Sequence, residues 1–129
     1  MDETGFDAEF SAFVRDCIPS LQAAAVLVCI ARDAEHEWSA AEIVGRLRTS
    51  VSITLAEAER SMEIFESRGV VERQPSSRTR LTRSLLADKR LSTLVQAYDH
   101  KPVTLIQFIH AMREEKIRLF SDAFRIRKD

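Results

Sequence analysis

Apolar residues recur at intervals of three and four through most of the chain, and this spacing predicts helices. The first such stripe consists of Phe6, Phe10, Phe13 and Val14. It predicts a short amphipathic helix over residues 5–17. After Pro19, Ser20 can cap a second helix over Leu21–Arg32, which is apolar on nearly all sides. A helix of that kind is expected in the middle of a core.

Two capping boxes predict where the next two helices begin. Ser39 is followed three residues later by Glu42, and Thr54 is followed at the same spacing by Glu57. In a capping box, the hydroxyl and the carboxylate each bond a backbone N–H group that the start of the helix leaves without a partner. These two boxes are the clearest local signals in the sequence.

The residues around the boxes define a pair of helices with a short polar connection at about residues 49–53. Trp38 and Ile43 occupy the positions at which a hydrophobic staple would join them at the first helix. The second helix is predicted over residues 54–68, and it stops at Gly69, because glycine readily adopts the left-handed conformation at a helix end. Two capped helices joined by a short turn form a helix-turn-helix unit.

The hydrophobic period changes from about 3.6 to 2 after Gly69. Residues 70–74 and 78–82 are predicted as two strands of a hairpin, with its turn at residues 75–77. The apolar stripe becomes helical again over residues 85–98, and a last helix or helix pair is predicted over residues 102–124, with Pro102 in its first turn.

Composition agrees with a mainly α protein that has one β-hairpin. The chain has 129 residues, 45% of them hydrophobic, and only three Gly and three Pro. This length fits a single domain over residues 1–129, divided into an N-terminal helix (1–20), a core (21–83) and a C-terminal helical extension (84–129). Because no apolar run reaches the roughly 18 residues needed to span a bilayer, and the start at Asp2 and Glu3 is acidic, we expect a cytoplasmic protein with no membrane contact.

The charges are distributed unevenly along the chain. Residues 1–20 carry five acidic and one basic side chain, residues 21–69 carry eight acidic and five basic, and residues 70–129 carry seven acidic and thirteen basic. Such asymmetry indicates an anionic partner. Mutual attraction of the two halves, within a monomer or a dimer, explains it equally well.

Candidate catalytic chemistry is scarce. The sequence contains no glycine-rich phosphate loop, no Gly-x-Ser-x-Gly and no His-Glu-x-x-His motif, so we expect neither an enzyme nor a bound cofactor or metal. His110 and Glu114 are one helical turn apart, but a solvated pair explains them better than a metal site. Cys17 and Cys29 are too few for a disulfide scaffold and are expected to be buried free thiols.

The order of capped helix, turn, capped helix ending in Gly-Val-Val, and basic hairpin resembles the winged helix-turn-helix family of transcription regulators. The likeness covers residues 21–83 and depends on three segments, 42–47, 62–71 and 73–80. The tail, residues 120–125, is similar to that of a set of small bacterial regulators. The resemblance implies a winged helix-turn-helix core with extra N- and C-terminal helices.

The resemblance also implies a DNA-binding transcriptional regulator whose recognition helix (54–68) lies in the major groove of duplex DNA and whose wing (70–82) grips the flanking backbone. The DNA-binding positions that match the family pattern are Arg48, Ser52, Thr54, Ala56, Glu57, Glu59, Arg60, Arg73, Arg78 and Arg80. Terminal helices commonly pair two copies in this family, so a homodimer is expected.

The recognition helix departs from the family pattern in its charge. Residues 54–68 contain four glutamates and two arginines, whereas residues 72–83 of the wing region contain four arginines and one glutamate. Phosphate neutralisation supplies most non-specific DNA affinity, so an acidic helix is an unfavourable reader, although Glu can accept from the amino group of cytosine. The alternative is a winged helix that uses its acidic helix as a protein-protein interaction module for a basic protein partner.

Overall fold

The computed structural model describes residues 6–128, except for the side chains of Lys116 and of residues 119–128. Along the chain the elements are α1 (Ala8–Cys17), α2 (Leu21–Arg32), α3 (Ala40–Leu47), α4 (Leu55–Ser67), β1 (Val71–Arg73), β2 (Thr79–Leu81), a 3-10 turn (Arg83–Leu85), α5 (Lys89–His100) and α6 (Pro102–Lys128). The prediction of a mainly α chain with one β-hairpin is confirmed. Asp2 and Glu3 of the predicted acidic start lie outside the described residues, as do the side chains of the tail motif at 120–125.

Side chains cap the starts of the first five helices. The acceptors are Asp7, Ser20, Ser39, Thr54 and Asp88, each of which accepts a hydrogen bond from a backbone N–H in the first turn of its helix. Such caps typically contribute about 1 kcal/mol each. The caps predicted at Ser20, Ser39 and Thr54 are therefore confirmed.

Helix α2 lies in the centre of the core, as its composition predicts. Its residues 23–30 are all buried, and the helix packs against α3, α4, α5 and β2. Residues from the six described helices and both strands join it in one hydrophobic cluster. The remaining elements are therefore held in position around α2.

Helix α4 ends in a Schellman motif built on Gly69. Gly69 has φ of 74°, its N–H donates to the carbonyl of Glu66 (3.1 Å), and the N–H of Val70 donates to the carbonyl of Phe65 (2.8 Å). These bonds satisfy two carbonyls that the helix end would leave without partners. The predicted stop at Gly69 is confirmed, and it directs the chain straight into β1.

The hairpin is shorter than the sequence predicts. Val71 pairs with Leu81, Glu72 with Arg80 and Arg73 with Thr79, so each strand has three residues rather than five. The connecting segment from residue 74 to residue 78 is correspondingly longer than the predicted turn. Ser77 within it has φ of 71°, which the extended backbone of a strand excludes.

A single residue before α3 extends this hairpin. The backbone N–H of Trp38 donates to the carbonyl of Thr79 (2.7 Å), and the N–H of Thr79 donates to the carbonyl of Trp38 (2.8 Å). The lateral order is therefore Trp38, β2, β1. The sequence analysis expected Trp38 only as a staple, and this pairing was not predicted.

The C-terminal region differs from the prediction at the start of α5. The predicted helix over 85–98 begins later, because Asp88 caps α5, and Leu86 is 54% exposed rather than part of an apolar stripe. The last element is one helix of 27 residues, which is the first of the two predicted alternatives. Its inner face packs on α5 and on α1, where the ring centre of Phe108 lies 6.1 Å from that of Phe10.

Candidate nucleic-acid interface

The start of α4 is fixed by a complete capping box. The Thr54 Oγ1 accepts from the N–H of Glu57 (3.1 Å), and the Glu57 Oε1 accepts from the N–H of Thr54 (2.9 Å). The hydrogen bond from the Thr54 backbone lowers the pKa of the Glu57 carboxyl group. One carboxylate oxygen of Glu57 therefore already accepts a hydrogen bond within the cap. The resemblance assigns this same carboxylate to a contact with a DNA base.

Helix α4 is buried along one stripe and exposed on the opposite one. Ala58, Ser61, Met62 and Phe65 face the core. The predicted reading residues Ser52, Thr54, Glu57, Glu59 and Arg60 are all exposed. Exposure is what an interface requires, although these residues do not share one face.

The helical positions separate the predicted reading residues into two groups. Glu59 and Glu63 lie on one side of the exposed face of α4, roughly 110° and 150° around the helix from the buried stripe. Glu57 and Arg60 lie on its other side, where they line a groove between α4 and α6. The exposed face is therefore divided between an acidic side and a side, next to the groove, that also carries an arginine.

The hairpin arginines are paired with glutamates within the molecule. The Arg73 Nη2 donates to the Oε1 of Glu66 on α4 (3.2 Å), and the Arg78 Nη1 donates to the Oε1 of Glu42 on α3 (3.0 Å). Arg80 lies opposite Glu72 in the strand register but forms no salt bridge with any described residue. Two of the three predicted wing contacts thus already have an anionic partner.

The second predicted capping box is only half formed. The Ser39 Oγ accepts from the N–H of Glu42 (3.2 Å), but the carboxylate of Glu42 accepts from the Nε2 of His36 (2.8 Å) and from Arg78 instead of returning to the cap. A hydrogen bond from a cationic donor such as Arg78 is stronger than one from a neutral backbone N–H, which favours the bond to Arg78 over the return to the cap. Partial burial raises the pKa of the Glu42 carboxyl group, but the hydrogen bond from His36 and the positive charge of Arg78 lower it, and the net pKa lies below its ordinary value.

Trp38 joins this cluster to the hairpin. It is fully buried, the ring of His36 packs edge-on against it at 4.5 Å, and the guanidinium of Arg46 lies 5.2 Å from its ring centre. Ser76 at the hairpin tip donates to the carboxylate of Glu37 (2.6 Å). The hairpin is therefore bound along β2 by Trp38 and at its tip by Glu37, and both residues precede α3.

Residues 36, 37, 42 and 66 were missed as parts of the site. The partners of Glu37, Glu42 and Glu66 lie on the hairpin, and His36 joins this group through Glu42. The Glu42–Arg78 pair joins positions 36 apart in the sequence. Charge alternation within a helix does not reveal a contact across that distance. Arg48 caps the end of α3 and is exposed, so it remains available in the position that the sequence predicts.

The other candidate groups are the two cysteines and the pair of His110 and Glu114. Cys17 and Cys29 are buried free thiols, as predicted, and burial raises the pKa of both. Among the described residues, no three His, Cys, Asp or Glu side chains come together as a metal-binding group. His110 and Glu114 are both exposed on α6.

In the part of the chain that the structure describes, no single helix combines the length and apolarity needed to cross a bilayer; α1 and α2 reach that threshold only jointly, across a bend of 106°. Comparison of the chain with protein-family models, with curated proteins and with solved structures found no match.

Proposed function

We propose that this protein is a winged-helix DNA-binding regulator in which α4 approaches the major groove and the hairpin contacts the flanking backbone. The observation that carries the proposal is the mutual pairing of Trp38 and Thr79, which docks the hairpin beside the capped pair α3 and α4. Helices α2, α3 and α4 and then the hairpin follow one another in the order that the resemblance implies. The resemblance noted for residues 21–83 supports the same conclusion.

The internal ion pairs of the hairpin do not oppose this function strongly. The Arg73–Glu66 and Arg78–Glu42 pairs are between a third and three-fifths exposed on both sides. Exposed pairs contribute about 0–1 kcal/mol, so a phosphate can replace either glutamate at small cost. In the free protein the glutamate accepts the hydrogen bond of the arginine, and in the DNA complex a phosphate accepts it. The glutamate also holds the arginine in position before DNA binds.

The outer part of α6 is the proposed seam of a homodimer. The helix has 27 residues and is therefore about 40 Å long, and Ile117 on it is 56% exposed. The sequence continues this stripe with Phe120 and Phe124. A two-fold partner would present two copies of α4 to successive turns of DNA.

The test is fluorescence anisotropy with a labelled random-sequence duplex pool at about 50 mM and about 200 mM salt. Wild type is compared with Arg78→Ala/Arg80→Ala and with Lys89→Ala/Lys101→Ala, which removes the same charge from α5 and its junction with α6. We expect affinity to fall steeply with salt, and the hairpin variant to bind about tenfold more weakly than the control variant. Equal losses in both variants, or binding that salt does not change, would refute the proposal.

A second function is favoured by one specific observation. Glu59 and Glu63 lie side by side on the exposed face of α4, where neither forms a salt bridge with a described residue, and the isoelectric point of the chain is 6.3. DNA-binding domains commonly lie above about 9. An acidic, uncompensated helix face fits a basic protein partner.

Charge reversal separates the two functions. Glu59→Lys/Glu63→Lys strengthens DNA binding if α4 approaches phosphates, because two repulsive charges become attractive. The same variant loses a basic partner in a pull-down if α4 is a protein-binding surface. Glu114→Lys/Glu115→Lys, which makes the same charge change on α6, is the matched control.

A further inference from the structure

A groove of about 730 Å³ lies between α4 and α6 and is also lined by the end of α1 and the start of α2. Sites for small organic molecules typically measure about 300–1,000 Å³ and have mainly apolar walls. The apolar wall of this groove includes Ile18, Ile64, Ile109 and Met112, and Ile117 of the proposed dimer seam also lines it. Its size and lining suit an apolar body several carbons long.

Helix α4 contributes one hydroxyl group to the wall of the groove. Ser61 lines the groove, and the residue as a whole is only 6% exposed. Its hydroxyl forms no hydrogen bond with any described residue, whereas other helical hydroxyls, such as those of Ser67 and Thr93, donate to a carbonyl of the preceding turn. Among the described residues the only buried side-chain atom without a partner is the Oγ1 of Thr82, so the Oγ of Ser61 reaches solvent in the groove and is free to bond to a group bound there.

The charged rim of the groove selects the sign of that group. Three arginines and one glutamate line it: Arg15, Arg60, Arg113 and Glu57. The glutamate already accepts the hydrogen bond of the α4 cap. Arg60 and Arg113 form no salt bridge with any described residue, and Arg15 pairs only with its exposed neighbour Asp16, at 3.7 Å. The rim therefore favours an anion.

We propose that the groove between α4 and α6 binds an amphipathic carboxylate, such as a medium-chain fatty acid. Its hydrocarbon chain packs against the four apolar residues of the wall, and its carboxylate accepts from Arg60, Arg113 and the hydroxyl of Ser61. Binding requires no DNA. Because α4 forms one wall, occupancy changes the affinity of α4 for DNA, a consequence that rests on the proposed function.

The proposal is tested by isothermal titration calorimetry of the full chain with decanoate and with decanol, both below the concentration at which decanoate forms micelles. We expect decanoate to bind at least about tenfold more tightly than decanol, because only the anion has charge-assisted hydrogen bonds to gain. Arg60→Gln/Arg113→Gln should remove that preference without changing the affinity for decanol. Lys89→Gln/Lys101→Gln, with the same charge loss away from the groove, should keep it.

A second variant guards against a purely structural effect. Ser61→Ala removes a hydroxyl that reaches solvent in the groove, so we expect it to weaken decanoate binding severalfold while leaving the thermal midpoint of the free protein nearly unchanged. Equal affinity for decanoate and decanol, absence of binding by either, or a preference that survives the arginine substitutions would overturn the proposal. The proposal would also be overturned if the protein formed a dimer that binds no decanoate and that Ile64→Glu dissociates. A second copy of the chain would then occupy the groove. None of these measurements includes DNA, so their failure leaves the test of DNA binding intact.

Discussion

At the scale of single residues, Thr54 offers the most direct test of local stability. Thr54→Ala removes the hydroxyl that accepts from the N–H of Glu57, whereas the backbone N–H of residue 54, which donates to the Glu57 carboxylate, is kept. We expect a loss of about 1 kcal/mol in the free energy of unfolding, measured by urea denaturation. Thr49→Ala removes an exposed threonine from the same connection and should change stability by less than half as much. Equal losses in the two variants would show that the cap contributes nothing particular.

The carboxyl group of Asp88 makes the stability of the protein depend on pH. Its carboxylate accepts from the Nε (3.0 Å), the Nη2 (2.7 Å) and the backbone N–H of Arg90, and these bonds hold its pKa below the ordinary 3.8. A carboxyl group with a lowered pKa stabilises the fold above its unfolded pKa, and this contribution is lost as pH falls through the folded pKa.

We therefore expect the difference in unfolding free energy between wild type and Asp88→Asn to be about 1 kcal/mol at neutral pH and to shrink as the pH falls below 3.8. Urea midpoints taken at several pH values measure it. Asparagine is also a good cap, so the comparison isolates the charge. A difference that stays constant down to about pH 2 would contradict the ionic explanation.

Residue roles were predictable from the sequence only where the partners are close neighbours. Ser39, Thr54 and Gly69 were identified because their bonds span at most five residues. The pairing of Arg78 with Glu42 was not, since it depends on the hairpin folding back beside α3. This is why the sequence analysis assigned Arg78 to DNA alone.

At the scale of elements, two glycines should respond in opposite directions to the same change. Gly69→Ala forces a side chain into φ of 74° at the end of α4, and we expect it to destabilise the protein by about 1–2 kcal/mol. Gly45→Ala lies inside α3 with no atom within 4 Å of the added methyl group, and we expect a gain of about 0.5–1 kcal/mol. Thermal unfolding of both variants checks the pair. Destabilisation at position 45 would contradict the open space described there.

The elements themselves were predicted well where helical periodicity is sustained, and less well where the strands are short. Helices α2 and α4 match their predicted ranges closely, because cap, stripe and stop agree. The single-residue strand at Trp38 has no periodicity that could reveal it. The start of α5 was placed too early because Leu85 and Leu86 extend the apolar pattern through a 3-10 turn.

At the scale of the whole molecule, the proposed dimer makes the boldest prediction. Ile117→Glu places a charge in the proposed seam, so we expect it to weaken self-association by at least about tenfold in analytical ultracentrifugation. Val103→Glu, on an equally exposed residue near the start of α6, should leave association unchanged. A wild-type chain that stays monomeric at high micromolar concentration would remove the dimer from the proposal. The resemblance predicts a homodimer, but the sequence does not show which residues of α6 the rest of the molecule covers.

The mutual bonds of Trp38 and Thr79 have a consequence for how the molecule opens. They tie the segment before α3 to the far strand of the hairpin, so α3, α4 and β1 form a ring closed by two backbone hydrogen bonds. None of the three elements can separate from the other two while these hydrogen bonds are intact. We expect the amide protons of Trp38 and Thr79 to exchange with deuterium as slowly as those of α2. Such slow exchange would mean that α3 and α4 open together in one cooperative step rather than by local unfolding at the helix ends.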